Sequence, residues 1–181
     1  GSIALAAHQI MIAISTLGFM IYYGVGAAVS VRVSNFYGRG DITNVKRSTM
    51  AGFHIMLCLV LIASTIFFFA QDVIGILFTT SPEVISLVSS LIIILMIYQF
   101  GDALQIIYAN SLRVIGDVIS MAIISFIGYF LLAMPVCYIC GFILNLGITG
   151  IWIGYPVGLT LTGIMLCGRY YWKLKNGRLF R

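Results

Sequence analysis

The stretch VISLVSSLIIILMIYQFGDALQIIYA, running from Val84 to Ala109, decides the fold. At a rise of about 1.5 Å per residue, a helix of this length crosses a hydrocarbon core about 30 Å thick. Its apolar residues lie on every face, whereas a strand of a membrane barrel alternates over segments of about ten residues, so the stretch reads as a transmembrane helix. Within it stands one acid, Asp102. An ionisable group at the centre of a membrane helix costs on the order of +2.5 to +3.5 kcal/mol, which makes function its default explanation.

Four further stretches have the same character, so the expected spans are Ala7 to Val31, Met50 to Ala70, Val84 to Ala109, Val118 to Gly141 and Ile148 to Leu166. Short connections predict antiparallel neighbours in an all-α integral membrane bundle of about five helices. Composition agrees: 61% of residues are hydrophobic and 8% charged, against about a quarter charged in soluble domains, and the mean hydropathy is +1.11. The opening Gly1-Ser2-Ile3-Ala4-Leu5 has no initiator Met and no basic segment. The expectation is a chain without a signal peptide whose natural start lies upstream.

Basic residues give the orientation. Arg32, Arg39, Lys46 and Arg47 gather at the first connection, Arg113 at the third, and Arg169, Lys173, Lys175, Arg178 and Arg181 in a tail over 167–181. The second connection, Gln71 to Glu83, and the fourth, around Asn145, carry none. The positive-inside rule then puts the basic connections and the tail in the cytoplasm and the amino end of the first span outside. The net charge of +5 follows from basic loops at a membrane surface, and no nucleic-acid partner is expected.

Polar groups within the spans are few. Tyr98, Asp102 and Gln105 recur at i, i+4 and i+7, which stacks them on one helix face, with Gln99 and Asn110 on an adjoining strip. This face is expected to border a water-filled cavity or a polar contact between helices. Arg113 lies about 16 Å along the helix from Asp102 and is expected to pair with Asp117 at i+4 instead. His8 and Gln9 open the first span, where His8 reads as an interfacial residue. His54 is expected to face the bundle as a neutral hydrogen-bonding group.

The four cysteines, Cys58, Cys137, Cys140 and Cys167, fall in or beside spans. Cys137 and Cys140 have C-x-x-C spacing, but no second ligand pair follows, and packing between helices is the simpler reading. Pro135 and Pro156 are placed to kink the fourth and fifth spans. Gly154 and Gly158 form a G-x-x-x-G pair, and Gly18, Gly24 and Gly26 are expected to thin the first helix for close approach. Trp152, Tyr170, Tyr171 and Trp172 read as interface anchors near helix ends.

These residues also carry a family likeness. Ala6-Ala7-His8-Gln9, then Gly26-Ala27-Ala28-Val29-Ser30-Val31-Arg32-Val33 and Gly38-Arg39-Gly40-Asp41, resemble the opening of the eighth helix and the following loop of multidrug and toxic compound extrusion (MATE) transporters, above all the bacterial NorM-like branch. Tyr98-Gln99-Phe100-Gly101-Asp102-Ala103-Leu104-Gln105 and Ser111-Leu112-Arg113-Val114-Ile115-Gly116-Asp117 are similar to that family's tenth helix and the turn after it. The likeness covers essentially the whole chain.

It implies most of the carboxy-terminal six-helix lobe of a twelve-helix antiporter, with the amino-terminal lobe and the seventh helix upstream of Gly1. It further implies an inner-membrane transporter, not an enzyme, that exports organic, often cationic, drugs or toxins in exchange for Na+ or H+. In such a lobe Asp102 and Tyr98 match positions of the monovalent cation or protonation site. The acidic residue that the seventh helix contributes has no counterpart here, and Ala13 stands where some relatives carry Asn. Candidate cavity-lining residues are Gln9, Phe19, Met20, Met96, Gln99 and Gln105; beyond Na+ at Asp102 no metal is expected.

Two other functions compete. A related lipid-linked oligosaccharide flippase would be expected to line its cavity with several cationic residues, whereas here Arg and Lys sit in loops and tail. A non-transporting membrane remnant or scaffold is the second, and an intact upstream lobe in the same reading frame would remove it.

Overall fold

The computed structural model describes residues 1–176 and is entirely helical over them apart from short turns. Five helices are long and apolar enough to cross a membrane: α1 (Ser2–Gly38), α2 (Ile42–Phe78), α3 (Pro82–Val114), α4 (Val118–Ile143) and α5 (Gly147–Lys175). The turns between them occupy only 39–41, 79–81, 115–117 and 144–146. Arg178 and Arg181, part of the expected basic tail, lie outside the described residues. Residues 167–175 of that tail continue α5 as helix.

The helices outrun the expected spans. A 37-residue helix such as α1 or α2 is about 55 Å long, well beyond the hydrocarbon thickness, so helical hydrogen bonding continues through the polar residues at its ends. Arg32 therefore lies on α1, Lys46 and Arg47 on α2, and Arg113 on α3. The second connection shrinks to 79–81 because Gln71–Phe78 stays helical.

Local chemistry ends and starts the helices. Gly40 (φ 72°) and Gly116 (φ 74°) supply left-handed turns that a side chain would strain. Asp41 caps α2, its Oδ1 accepting from the Asn44 backbone N–H at 3.0 Å. Pro82 follows Ser81 in the first turn of α3, with Glu83 beside it at the positive end of the helix dipole. In α4, Pro135 lacks an N–H, and π-helical turns at Ile127–Ala133 and Ile139–Ile143 flank its segment. Pro156 sits within α5.

α3 is the hub, packing on α1, α2 and α5, while α4 leans chiefly on α5. Two apolar cores form along α3. One gathers Met11, Val88, Leu91, Leu95 and Trp152; the other gathers Val33, Met56, Ile107, Leu112 and Tyr170. The polar residues Gln99 and Asp102 lie between the α3 residues of the two cores. Outward faces are apolar, as at Phe69, Leu77 and Ile119, the surface a lipid solvent requires.

Glycine determines how closely α4 and α5 approach. Cβ atoms at Gly150, Gly154 and Gly158 would lie 2.3 Å from the Cys140 carbonyl oxygen, 2.1 Å from Cys137 Sγ and 2.4 Å from Ala133 Cβ. The G-x-x-x-G pair is thus two members of a three-glycine stripe facing Ala133, Cys137 and Cys140. Cys137 and Cys140 are free thiols, and Cys137 donates to the Ile151 carbonyl at 3.3 Å. In α1 only Gly26 behaves as expected, against Ile106 and Asn110; Gly24 meets nothing within 4 Å, and Gly18 meets only Tyr22 of its own helix.

Several expectations are corrected. Trp152 is 3% exposed and Tyr170 fully buried, so neither is an interface anchor; Tyr170 bonds Thr49 Oγ1 at 2.8 Å, and Thr49 in turn bonds Ser111 at 3.1 Å, joining three helices. Trp172 remains exposed beneath the Arg169 guanidinium, 4.6 Å from its ring. His54 faces outward. Asp117 does not pair with Arg113, because Gly116 turns the chain out of the helix that i+4 pairing needs; instead it accepts from Arg169 Nε at 2.6 Å and Nη2 at 3.3 Å, with Lys173 at 3.9 Å.

Asp117 makes a pH prediction. Burial pushes its carboxyl up, but hydrogen bonds from Arg169 and Ser120 and the nearby Lys173 and Arg169 charges outweigh this, holding it below the ordinary carboxylate range. Stability from the pair is thus present above the unfolded-state pKa near ~4 and is lost as pH falls through the lower folded value. Arg169→Ala is expected to cost about 2 kcal/mol near neutrality, less than for a fully buried pair because the arginine is partly solvated. Thermal unfolding in detergent should show that difference shrinking in acid; a pH-independent difference would contradict the assignment.

Candidate functional site

The break between the two apolar cores is where the site forms. Asp102 is 5% exposed, and its Oδ2 has no hydrogen-bond partner among the described residues. Gln99, also buried, accepts a hydrogen bond from the Tyr22 hydroxyl of α1, which fixes its carbonyl end and leaves Nε2 unpartnered. Gln105 is half-buried with a free Oε1 and reaches Tyr129 of α4. Gln99 and Gln105 thus stand three residues to either side of Asp102 on α3, tied to Tyr22 of α1 and Tyr129 of α4.

The carboxylate lines a cavity of about 540 Å³. Tyr98 and Asp102 form the α3 wall, Phe19 the α1 wall, Tyr129, Ala133, Met134 and Cys137 the α4 wall, and Tyr155 and Leu159 the α5 wall. Among the described residues no Lys or Arg borders it. Chemically it is an aromatic and sulfur-lined hollow with a single carboxyl group, suited to a proton, a small cation or the cationic end of an organic molecule. Among the described residues no group of three or more His, Cys, Asp or Glu could hold a metal ion. A cation at Asp102 would need neutral oxygens, from hydroxyl or amide groups, to complete its shell.

Asp102, Tyr98 and Phe19 come together in this wall, and Gln99 and Gln105 flank it on α3. Gln9 and Met20 are exposed on α1, and Met96 packs half-buried beside an apolar core, so none of these three borders the cavity. The sequence reading did not single out Tyr22, Tyr129, Tyr155 or Leu159 for the site. Tyr129, Ala133 and Cys137 recur at steps of four, as do Tyr155 and Leu159, which is a signal that a scan for helical faces would catch. Tyr22 is joined to Gln99 only by tertiary packing.

The chain thus combines five helices long and apolar enough to cross a membrane with a buried acid in the wall of an aromatic cavity. The chain belongs to the MatE family, whose model matches residues 1–139. It is 35% identical over 176 residues to the multidrug resistance protein NorM of Photobacterium profundum, covering 95% of this chain and 39% of that protein. It is 32% identical over 180 residues to the multidrug resistance protein MdtK of Photorhabdus laumondii subsp. laumondii, covering 97% and 39%. The chain therefore spans about two fifths of the length of these relatives.

Solved structures agree on the fold. The eukaryotic MATE transporter AtDTX14 superposes with a TM-score of 0.88 at 22% identity, over 98% of this chain and 41% of that one. An outward-facing multidrug resistance MATE family transporter of the MOP superfamily superposes at 0.89 with 17% identity, over 97% and 40%.

Proposed function

We propose that this chain forms most of the carboxy-terminal lobe of a multi-pass inner-membrane antiporter, with a cytoplasmic carboxy end, that exports organic cations in exchange for Na+ or H+. The observation that carries the reading is Asp102, a buried carboxylate with an unpartnered oxygen in the wall of an aromatic cavity. Tyr98, one helical turn away in the same wall, orients the bound cation through its hydroxyl or ring. A coupling cation on Asp102 and an organic cation in the cavity compete for one negative charge. By reciprocity, a cation that weakens substrate binding is itself weakened by substrate, so an inward cation gradient drives export.

The rest of a two-lobed transporter closes the substrate cavity from the other side. Phe19, Tyr129, Met134 and Tyr155 offer adaptable aromatic and thioether contacts, which fit varied substrates rather than one. A cavity wall without Lys or Arg among the described residues argues against a pyrophosphate-bearing lipid substrate.

The test is export of a quaternary ammonium dye from proteoliposomes of the full-length transporter under separately imposed gradients. Transport is expected under an imposed Na+ or pH gradient and to stop when both are dissipated. Dye export that continues with neither gradient would refute coupling to a cation.

A further inference from the structure

The carboxy end of α1 carries a polar hollow of about 420 Å³, lined by Ala28, Val31, Arg32, Asn35, Phe36 and Arg39. Asn35 and Arg39 follow Phe19 by 16 and 20 residues. At about 100° per residue they lie on the opposite face of α1 from Phe19, so the hollow opens away from the Asp102 cavity that Phe19 lines.

Its charges are uncommitted. Arg32 and Arg39 are exposed, and neither has an ion-pair partner among the described residues. The Arg32 guanidinium stands over the Phe36 ring, 6.0 Å from its centroid, an attraction that steadies it beside the hollow. Among the described residues no Asp or Glu borders the space. Asp41, the nearest acid in sequence, is turned to α2, where Asn44 donates to its Oδ1 at 3.0 Å from the backbone and to its Oδ2 at 2.6 Å from the side chain.

The hollow also sits at the depth of a headgroup. Val31, 64% exposed, ends the apolar run of α1, and Arg32 is the first cation after it. From Arg32 to Arg39 the helix rises about 10 Å, comparable to the headgroup layer of about 5–8 Å on each side of the hydrocarbon. An arginine fork suits phosphate oxygens through paired N–H donors. A free phosphate would use the arginines and leave the apolar wall of Ala28, Val31 and Phe36 idle, whereas a lipid uses both.

We propose that this hollow binds one anionic phospholipid, such as phosphatidylglycerol, in the leaflet that the carboxy end of α1 reaches. The two arginines and the Asn35 amide hold its phosphate, and its glycerol and first acyl carbons lie on Ala28, Val31 and Phe36. Basic pockets at the ends of membrane helices recognise anionic headgroups on the same terms. The site needs the chain to span a bilayer but not to exchange cations, so it goes beyond the antiporter reading and does not depend on it.

The experiment photolabels the full-length transporter in phosphatidylcholine nanodiscs with a trace of phosphatidylglycerol carrying a diazirine at the top of one acyl chain, and maps the labelled peptides by mass spectrometry. A nanodisc exposes both leaflets, so the result is independent of orientation. Label is expected within 28–39, displaced by unlabelled phosphatidylglycerol but not by glycerol phosphate. It should fall about fivefold in Arg32→Gln and about 30-fold in Arg32→Gln with Arg39→Gln, as the loss of one and of two cations at a membrane surface predicts. Arg113→Gln, which removes a cation outside the hollow, should leave it unchanged, and labelling by the matching phosphatidylcholine probe should be the same in every variant. An equal loss in Arg113→Gln would mean attraction to the basic surface as a whole, and displacement by glycerol phosphate would mean a free-phosphate site. Either result, or no label within 28–39, overturns the proposal.

Discussion

Asp102→Asn in the full-length transporter is expected to reduce cation-driven export of an organic cation by about 100-fold while leaving the protein in the membrane. The magnitude follows from coupling: the free energy linking two ligands in an allosteric or competitive exchange is typically ~1–3 kcal/mol, or about 5–150-fold, and Asp102 is the acid that this chain places in the cavity wall. The amide has nearly the shape of the acid but neither charge nor titration. It cannot hold Na+ by charge, and it cannot take up and release a proton. Nor does it leave an unpaired charge in the bundle, so folding should survive. Membrane abundance by immunoblot and export from everted vesicles check both halves. Wild-type export in the variant would remove Asp102 from the mechanism.

Gly150→Ala should destabilise the helical bundle, against what helix propensity alone says. Glycine in a helix interior is worse than alanine by roughly 0.5–1 kcal/mol, so an unconstrained site would gain from the change. At Gly150 the added Cβ would lie 2.3 Å from the Cys140 carbonyl oxygen, 2.4 Å from its carbon and 2.7 Å from the Gly141 nitrogen. Those are backbone atoms, which no rotamer can move aside, so α4 must shift off α5. Overpacking of this kind costs about 1–3 kcal/mol. Because α4 leans mainly on α5 and supplies Tyr129, Ala133, Met134 and Cys137 to the cavity, substrate binding should weaken together with stability. Gly24→Ala is the contrast, since a Cβ there meets nothing within 4 Å in this lobe. Thermal unfolding of the detergent-solubilised variants, alongside dye binding, reads both effects. A Gly150→Ala protein as stable as Gly24→Ala would show that the α4–α5 contact is not this close.

The sequence was most informative where a single helix sufficed. Five long apolar runs had to be membrane helices, and the i, i+4, i+7 spacing put Tyr98, Asp102 and Gln105 on one face without knowledge of neighbours. What depended on partners was harder. Tyr22 reaches Gln99 across 77 positions of chain, a pairing no local pattern contains. Asp117 was matched to Arg113 by assuming an unbroken helix, and Gly116, at φ 74°, breaks it. Trp152 lies near the start of α5 and so resembled an interface anchor, yet its side chain is buried against the His8 ring of α1. Helix ends ran long because polar residues beyond the apolar core still continue the backbone ladder.

In the proposed exchange, substrate and coupling cation contend for the Asp102 carboxylate. The direct measurement is cation displacement by the purified full-length transporter in detergent, followed with a pH indicator in weak buffer and with radioactive sodium, when a quaternary ammonium substrate is added. Release of about one H+ or Na+ per substrate bound is expected of the wild type, by the reciprocity of coupled binding, and none of Asp102→Asn. Equal release from wild type and Asp102→Asn would contradict it.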